Sequence, residues 1–467
     1  MNLTYGIKDK PQFKHMLVFA FQQVLAILAA TILVPAIING AIPGANMSQA
    51  AALFGAGVGT IVYQLFTKFR SPVFLGSSFA FISSMIVTFA GAATIALGYL
   101  GLIVGAVLAG LVYVIIALVV RAAGTNWVSK LMPAVVIGPT VAIIGLSLAG
   151  NAIQNLVSGT YDSGASAYVF DLTTGLHILC GLVALAVVML CSVYGKKMAK
   201  LIPFIIGIVS GYILASVITL VGKVAGVDAM IIMDYSAFTN LFAEISLASF
   251  IQIPEFTFIK ALGGFEAFDL AYLGTVAIAY VPVAFVVFAE HIADHKNLST
   301  IIGQDLIKEP GLNKTLLGDG VGSMAGAFFG GCPNTTYGES VACVAITKNA
   351  SVATITTAAV MCILMSFLSP FVAFLSTIPG YVMGGICVSL YGFIAVSGLK
   401  MLQPVDLNDN RNLFVAATIL VSGVGGLAIT FGQITLTTAA CSLILGILAN
   451  TMLSKKTVAV PVDEISE

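Results

Sequence analysis

The stretch AYLGTVAIAYVPVAFVVFAEHIADH, residues 271–295, carries no charge from Ala271 to Ala289 and then meets Glu290, His291, Asp294 and His295 in close succession. An uncharged apolar run of this length suits a helix that crosses the hydrocarbon core of a bilayer, which takes about 20 residues. Acids inside a membrane are expensive and are kept for function. The stretch therefore predicts both a membrane fold and carboxylate chemistry within it.

Composition carries the first half of that reading to the whole chain. Of 467 residues, 59% are hydrophobic and only 9% charged, against about 25% charged in soluble domains. Twenty basic residues balance 20 acidic ones, which excludes a polybasic nucleic-acid binder. Charge-free runs cover 15–67, 71–120, 131–161, 172–195, 201–222, 270–289, 349–399 and 412–454. The runs near 50 residues each need two crossings, and stretches around 315–331 and 335–347 add two more. The expectation is 14 transmembrane spans, all α. With both termini inside, 18 of the 20 basic residues fall on the cytoplasmic side, Lys130, the Lys196/Lys197/Lys200 cluster and Lys455/Lys456 among them. Only Lys223 and Lys260 fall outside, as the positive-inside rule requires.

Three lesser features fit this class. The first 15 residues are polar and the following apolar run is too long for a signal h-region, so the first span is read as a retained start-transfer helix. All seven cysteines sit in apolar runs without a CxxC pair, so they read as packing residues, with no disulfide framework and no metal site. Residues 222–269 hold Asp228, Asp234, Glu244, Glu255, Glu266 and Asp269. They read as an external connector, either ordered or a plain linker.

An internal repeat divides the chain. Leu53-Phe54-Gly55-Ala56-Gly57-Val58-Gly59-Thr60 aligns with Leu316-Leu317-Gly318-Asp319-Gly320-Val321-Gly322-Ser323. Ser71-Pro72 then aligns with Cys332-Pro333, and Pro133-x-x-Val136-x-Gly138 with Pro379-x-x-Val382-x-Gly384. The basic-residue count gives the two halves opposite orientation, which predicts an inverted repeat of the kind secondary transporters use. Such proteins bind near the midplane at discontinuous helices. The candidate segments are Gly76-Ser77-Ser78-Phe79-Ala80-Phe81 and Asn334-Thr335-Thr336-Tyr337-Gly338-Glu339-Ser340. Both suit an extended strand that ends at a helix N-terminus, where unpaired amides can donate to a carbonyl.

Glu290 and Glu339 are the deepest charges in the expected spans, with interfacial capping as the plainer alternative for Glu290. Asp294, four residues on, is either its partner on the same helix face or a solvated residue. His291 and His295 either modulate Glu290 or face the cytoplasm. Asp319 stands at the place of Ala56. Phe79 and Tyr337 could sandwich a flat ring or simply pack, and Tyr391 is a weak candidate. An intramembrane enzyme would need a nucleophile–base pair or a metal dyad within the spans, and His177 is isolated.

Ala289-Glu290-His291-Ile292, Asp305-Leu306, Pro310-Gly311-Leu312, the Pro333–Glu339 block, Gly76–Ile82 and Gln12–His15 together resemble the uracil-transporting bacterial members of the nucleobase–ascorbate transporter family, also called nucleobase–cation symporter-2. The resemblance runs over nearly the whole chain. In the family signature, Glu339 and Thr347-Lys348 match, while Ser340 stands for Asn and Ala342 for Gly. Where some uracil-transporting relatives carry His four residues after the span-8 Glu, this chain has Asp294, followed by His295.

The resemblance implies two inverted sevens, 1–225 and 270–467, joined by a connector at 226–269. It implies a core domain of spans 1–4 and 8–11 and a gate domain of spans 5–7 and 12–14, with spans 3 and 10 broken by short strands. Glu290 and Glu339 would hold the base, Phe79 would pack on its ring, and Ser78, Tyr337 and Gly338 would lie nearby. The implied activity is import of uracil across the cytoplasmic membrane by proton symport without a cofactor, with Glu290, Asp294 and His295 as proton-coupling candidates. A protonated Glu290 could donate to a uracil carbonyl, whereas its bare carboxylate would be an uncompensated buried charge. Xanthine, uric acid or another base, and sodium coupling, are the alternatives, and a homodimer is left open.

Overall fold

The computed structural model describes residues 3–124, 127, 133–196, 198–431 and 434–454. Lys130, Lys197, Lys455 and Lys456, used above for orientation, lie outside the described residues. The chain is mostly helical: α1 (Phe13–Ala41), α2 (Gln49–Phe66), α3 (Ile82–Ala90), α4 (Ile95–Ala123), α5 (Ala134–Ser147) with its continuation α6 (Ala149–Val157), α7 (Leu172–Tyr194), α8 (Pro203–Ala225), α9 (Leu270–Ile302), α10 (Leu312–Gly330), α11 (Gly338–Thr347), α12 (Val352–Met365), α13 (Ser369–Ser376), α14 (Gly380–Lys400), α15 (Asn410–Val424) and α16 (Thr438–Leu453). Among the described residues, eight helical segments are long and apolar enough to cross a membrane, α5–α6 counting as one, and the helices at 79–90, 338–347, 352–365 and 438–453 are shorter but apolar.

Polar side chains start these helices where orphan amides need acceptors. Ser48 accepts from Ala51 N at the head of α2, Thr94 from Leu97 N at α4, and Asp269 from Tyr272 N at α9. Asp171 caps α7 in the same way, and the Thr174 amide holds its carboxyl below the usual carboxylate range. Pro133 and Pro379, paired in the repeat, each occupy the N-cap of a helix, α5 and α14.

The aligned glycine motifs cross each other. Helices α2 and α10 pack backbone to backbone: a Cβ on Gly59 would sit 2.7 Å from the Gly322 carbonyl, and one on Gly322 2.7 Å from that of Gly59. Gly55 meets Gly326, and Gly330 meets Ala51, along the same seam. Small residues four apart permit this approach where lipid supplies no hydrophobic drive. Helices α1, α4 and α12 pack on this pair and α9 packs against α4, whereas α5, α7 and α8 pack on α14, and α15 and α16 pack on α5.

At the end of the glycine seam, strands β1 (Leu75–Ser77) and β2 (Asn334–Thr336) pair antiparallel, with Leu75 opposite Thr336 and Ser77 opposite Asn334. Thr60 bonds both backbone groups of Leu75, and Asn334 Nδ2 donates to the Gly55 carbonyl at 3.0 Å. Each strand runs directly into a helical segment, one starting at Phe79 and the other at Gly338. The connector is ordered. It forms short helical turns between Asp228 and Ala267, and Phe256 and Phe258 join a ring cluster with Phe54, Phe328, Phe329 and Phe367.

Candidate functional site

Helix α9 does not stop at Glu290. It continues to Ile302 and ends where Gly303 takes a left-handed φ of +73°. Glu290 is thus an interior residue and does not cap a helix end. Glu290 and Asp294, four apart, share one face, and both border a cavity of about 400 Å³. Helix α11 brings Gly338 and Glu339 to the same space. Glu339 lies in its first turn, beside the amides that a helix leaves unpaired at its start. Ala26 of α1, Val141 of α5, Phe204 of α8 and Leu390, Phe393 and Ser397 of α14 form much of the rest of the wall, and the lining also includes Lys200 and Met401. Glu290, Asp294 and Glu339 are each half-buried and reachable.

The strand pair supports this wall from behind. Thr336 Oγ1 donates to Asp294 Oδ2 at 2.6 Å, which ties a cavity acid to β2. Tyr337 donates from its hydroxyl to the Ser77 carbonyl at 2.7 Å, and its ring lies over Gly76 so closely that any Cβ there would collide with it. Ser78 N donates to the Pro333 carbonyl at 2.9 Å. Ser78, Phe79 and Tyr337 are buried and sit outside the cavity lining. Phe79 packs edge-on to Tyr391, with ring centroids 6.0 Å apart. Gln23 Nε2 donates to Ser340 Oγ, which gives the departed signature position a partner on α1.

His291 and His295 occupy the neighbouring face of α9, fully buried, with rings stacked at 4.0 Å. His291 Nδ1 meets Asp319 Oδ2 at 2.7 Å. His295 bonds the His291 carbonyl through Nδ1 and the Tyr63 hydroxyl through Nε2, each at 2.8 Å. Neither ring borders the cavity, so the alternative in which they face the cytoplasm does not describe them. Sequence reasoning missed the His291–Asp319 pair and the far wall on α8 and α14. Asp319 stood out only as an oddity of the repeat, and no charge or motif marks Phe204, Phe393 or Ser397.

A family model described as "Permease family" matches residues 14–432. The uracil permease of Bacillus subtilis (strain 168) is 37% identical over 459 residues, which cover 97% of this chain and 95% of that protein. The uracil permease of Escherichia coli (strain K12) is 32% identical over 444 residues, covering 95% and 92%. Among solved structures, the transmembrane domain of the cyanobacterial bicarbonate transporter BicA superposes with a TM-score of 0.59 at 15% identity, covering 95% of this chain and all of that one. That likeness speaks for the fold alone.

Proposed function

The chain belongs to the permease family, and from that premise we propose that it imports uracil by proton symport. It is a multi-pass membrane transporter and not an enzyme. The observation that carries the reading is the cavity that gathers Glu290, Asp294 and Glu339 from two helices beside a strand pair. Uracil is flat, with ring N–H donors suited to carboxylates and carbonyls suited to backbone amides. Glu339 and Glu290 hold the base and the amides around Gly338 meet its carbonyls, while Ser78, Phe79 and Tyr337 stand one layer behind, on the strand side of the cavity wall.

In this reading the eight long segments, the four short apolar ones, α10 and α15 are the 14 spans, with both termini cytoplasmic. The group around the α2–α10 crossing acts as the core, the group around α14 as the gate, and the two halves are inverted repeats. The cavity reaches Lys200 and Met401, at the lysine-bearing end of the gate, so the conformation is read as open to the cytoplasm. Three acids in one small space cannot all be ionised cheaply. That supports proton coupling, with Glu290 as carrier and Asp294 as its partner. His295, with both ring nitrogens engaged, is assigned to packing.

Uptake of radiolabelled uracil into vesicles under an imposed pH gradient tests the reading. Unlabelled uracil should compete and xanthine should not. A protonophore should collapse accumulation, sodium removal should leave it intact, and Glu290→Gln should uncouple uptake from the gradient. Loss of uptake on sodium removal alone would overturn the proton assignment.

A further inference from the structure

The transport reading leaves unused the titratable pair behind the cavity. His291 and Asp319 are both 0% exposed, and their hydrogens can be counted. His291 Nε2 lies 3.0 Å from Thr315 Oγ1, and that hydroxyl donates to the Leu312 carbonyl at 3.1 Å. A hydroxyl has a single proton. With it directed at Leu312, Thr315 accepts from His291, so Nε2 carries a hydrogen. The 2.7 Å contact between Nδ1 and Asp319 Oδ2 needs a second one. Ring and carboxyl together then carry no net charge.

The other arrangement would turn the Thr315 hydroxyl to Nε2 and leave Asp319 as a bare carboxylate accepting from Nδ1. Its Oδ1 has no hydrogen-bond partner among the described residues, and the surroundings are closed. A Cβ on Gly318 would meet the Tyr63 ring at 3.0 Å, and one on Gly320 would meet the Gly110 carbonyl at 3.0 Å. An unpaired anion in such a place is far more costly than a shared proton. The titratable groups around the pair are Tyr113 of α4, 6.3 Å from the His291 ring, His295 at 4.0 Å, Tyr63 of α2 beyond it, and Glu290 next in the chain.

We propose that His291 and Asp319 share one proton as a neutral clamp between α9 and α10, which sets the rotation of α9 and is kept throughout the transport cycle. The inference rests on reading the cavity as the uracil site. A helix turns about 100° per residue, so slippage by one residue would carry the histidines toward the cavity and withdraw Glu290 and Asp294 from it. Both histidines and both acids repeat at a spacing of four, so the clamp positions the whole acid face. His291 and Asp319 are positioning residues that need not touch the substrate.

The test compares Asp319→Asn with Asp319→Leu in the purified full chain, read by uracil binding across pH and by difference infrared spectroscopy. The Asn amide can donate to Nδ1 as the protonated acid does, so Asp319→Asn should retain binding with an unchanged pH profile. Asp319→Leu should lose roughly tenfold or more, as expected when a buried hydrogen-bond partner is removed. Subtracting the Asp319→Asn spectrum from that of the wild type should reveal a proton-bearing carboxyl band that does not move when uracil is added. A shifted pH profile in Asp319→Asn, or a band that vanishes with uracil, would overturn the clamp and make the pair a titrating site. If the wild type failed to bind uracil, the transport reading would fall, while the band in the unliganded protein would still decide the shared proton.

Discussion

Helix α9 carries two pairs of ionisable residues at identical spacing, one step apart in the chain, and the two pairs have opposite surroundings. Glu290 and Asp294 border a cavity, whereas His291 and His295 are sealed between α2, α4 and α10. Spacing alone gives both pairs one shared face each. What separates them is the partner helix. The glycine seam lets α10 press Asp319 against one face, while the other looks across open space to α14. An ionisable residue in a membrane is thus a signal of function whose kind depends on what packs opposite it. The acid face should answer to substrate and ions, and the histidine face to the integrity of the site.

The strongest way to break this division is Glu339→Gln, which alters the acid wall without touching the histidine side. A carboxylate that accepts a ring N–H is replaced by an amide that presents a donor in one of its two orientations. Hydrogen bonds to charged groups contribute about 1.5–3 kcal/mol, so uracil affinity should fall roughly 10- to 100-fold. Calorimetric binding on purified protein measures this, and thermal unfolding of the same sample should be almost unmoved. Wild-type affinity in that variant would take Glu339 out of the site.

Phe79 sharpens the comparison from the strand side. It is only 9% exposed and packs on Tyr391, so it belongs to the sealed interior in this conformation and to the acid face only if the base reaches β1. Phe79→Ala should cost about 1–3 kcal/mol of uracil affinity if the rings stack, and Phe79→Tyr far less. Equal losses from both would assign Phe79 to packing.

These outcomes bear on what the sequence could disclose. The membrane class followed from the charge-free runs, and the break in two helices from Gly76-Ser77-Ser78 and Asn334-Thr335-Thr336, because residues that pack poorly against lipid suit exposed backbone. Glu290 and Glu339 stood out because charge is rare in such runs. The glycine alignment was visible as a repeat, but its physical meaning, a crossing of α2 on α10, depends on which helices meet and no local pattern encodes that. The same holds for His291 and Asp319, which belong to different helices and become a pair only through that crossing. Phe204 and Phe393 were invisible for the opposite reason, since an aromatic in an apolar run looks alike whether it faces lipid, protein or a cavity.

The smallest expected effect lies at the joint between the two faces, where Thr336 donates to Asp294 at 2.6 Å. Asp294 can turn toward the cavity or remain tethered to β2, and this bond holds one of its oxygens on the strand. Thr336→Val keeps the branched shape and deletes the donor. Because Asp294 stays half-exposed to the cavity, the freed oxygen can find water, and the cost should stay near the low end for a single hydrogen bond, about 0.5–1.5 kcal/mol. Uracil affinity should therefore fall no more than about tenfold, with the melting temperature lowered by a few degrees at most. In a double-mutant cycle with Asp294→Asn, the combined loss should fall short of the sum of the two single losses, since both changes act on the one Thr336–Asp294 contact. Additive losses in that double-mutant cycle would show that Asp294 works independently of β2 and that the strand pair does not steer the acid face.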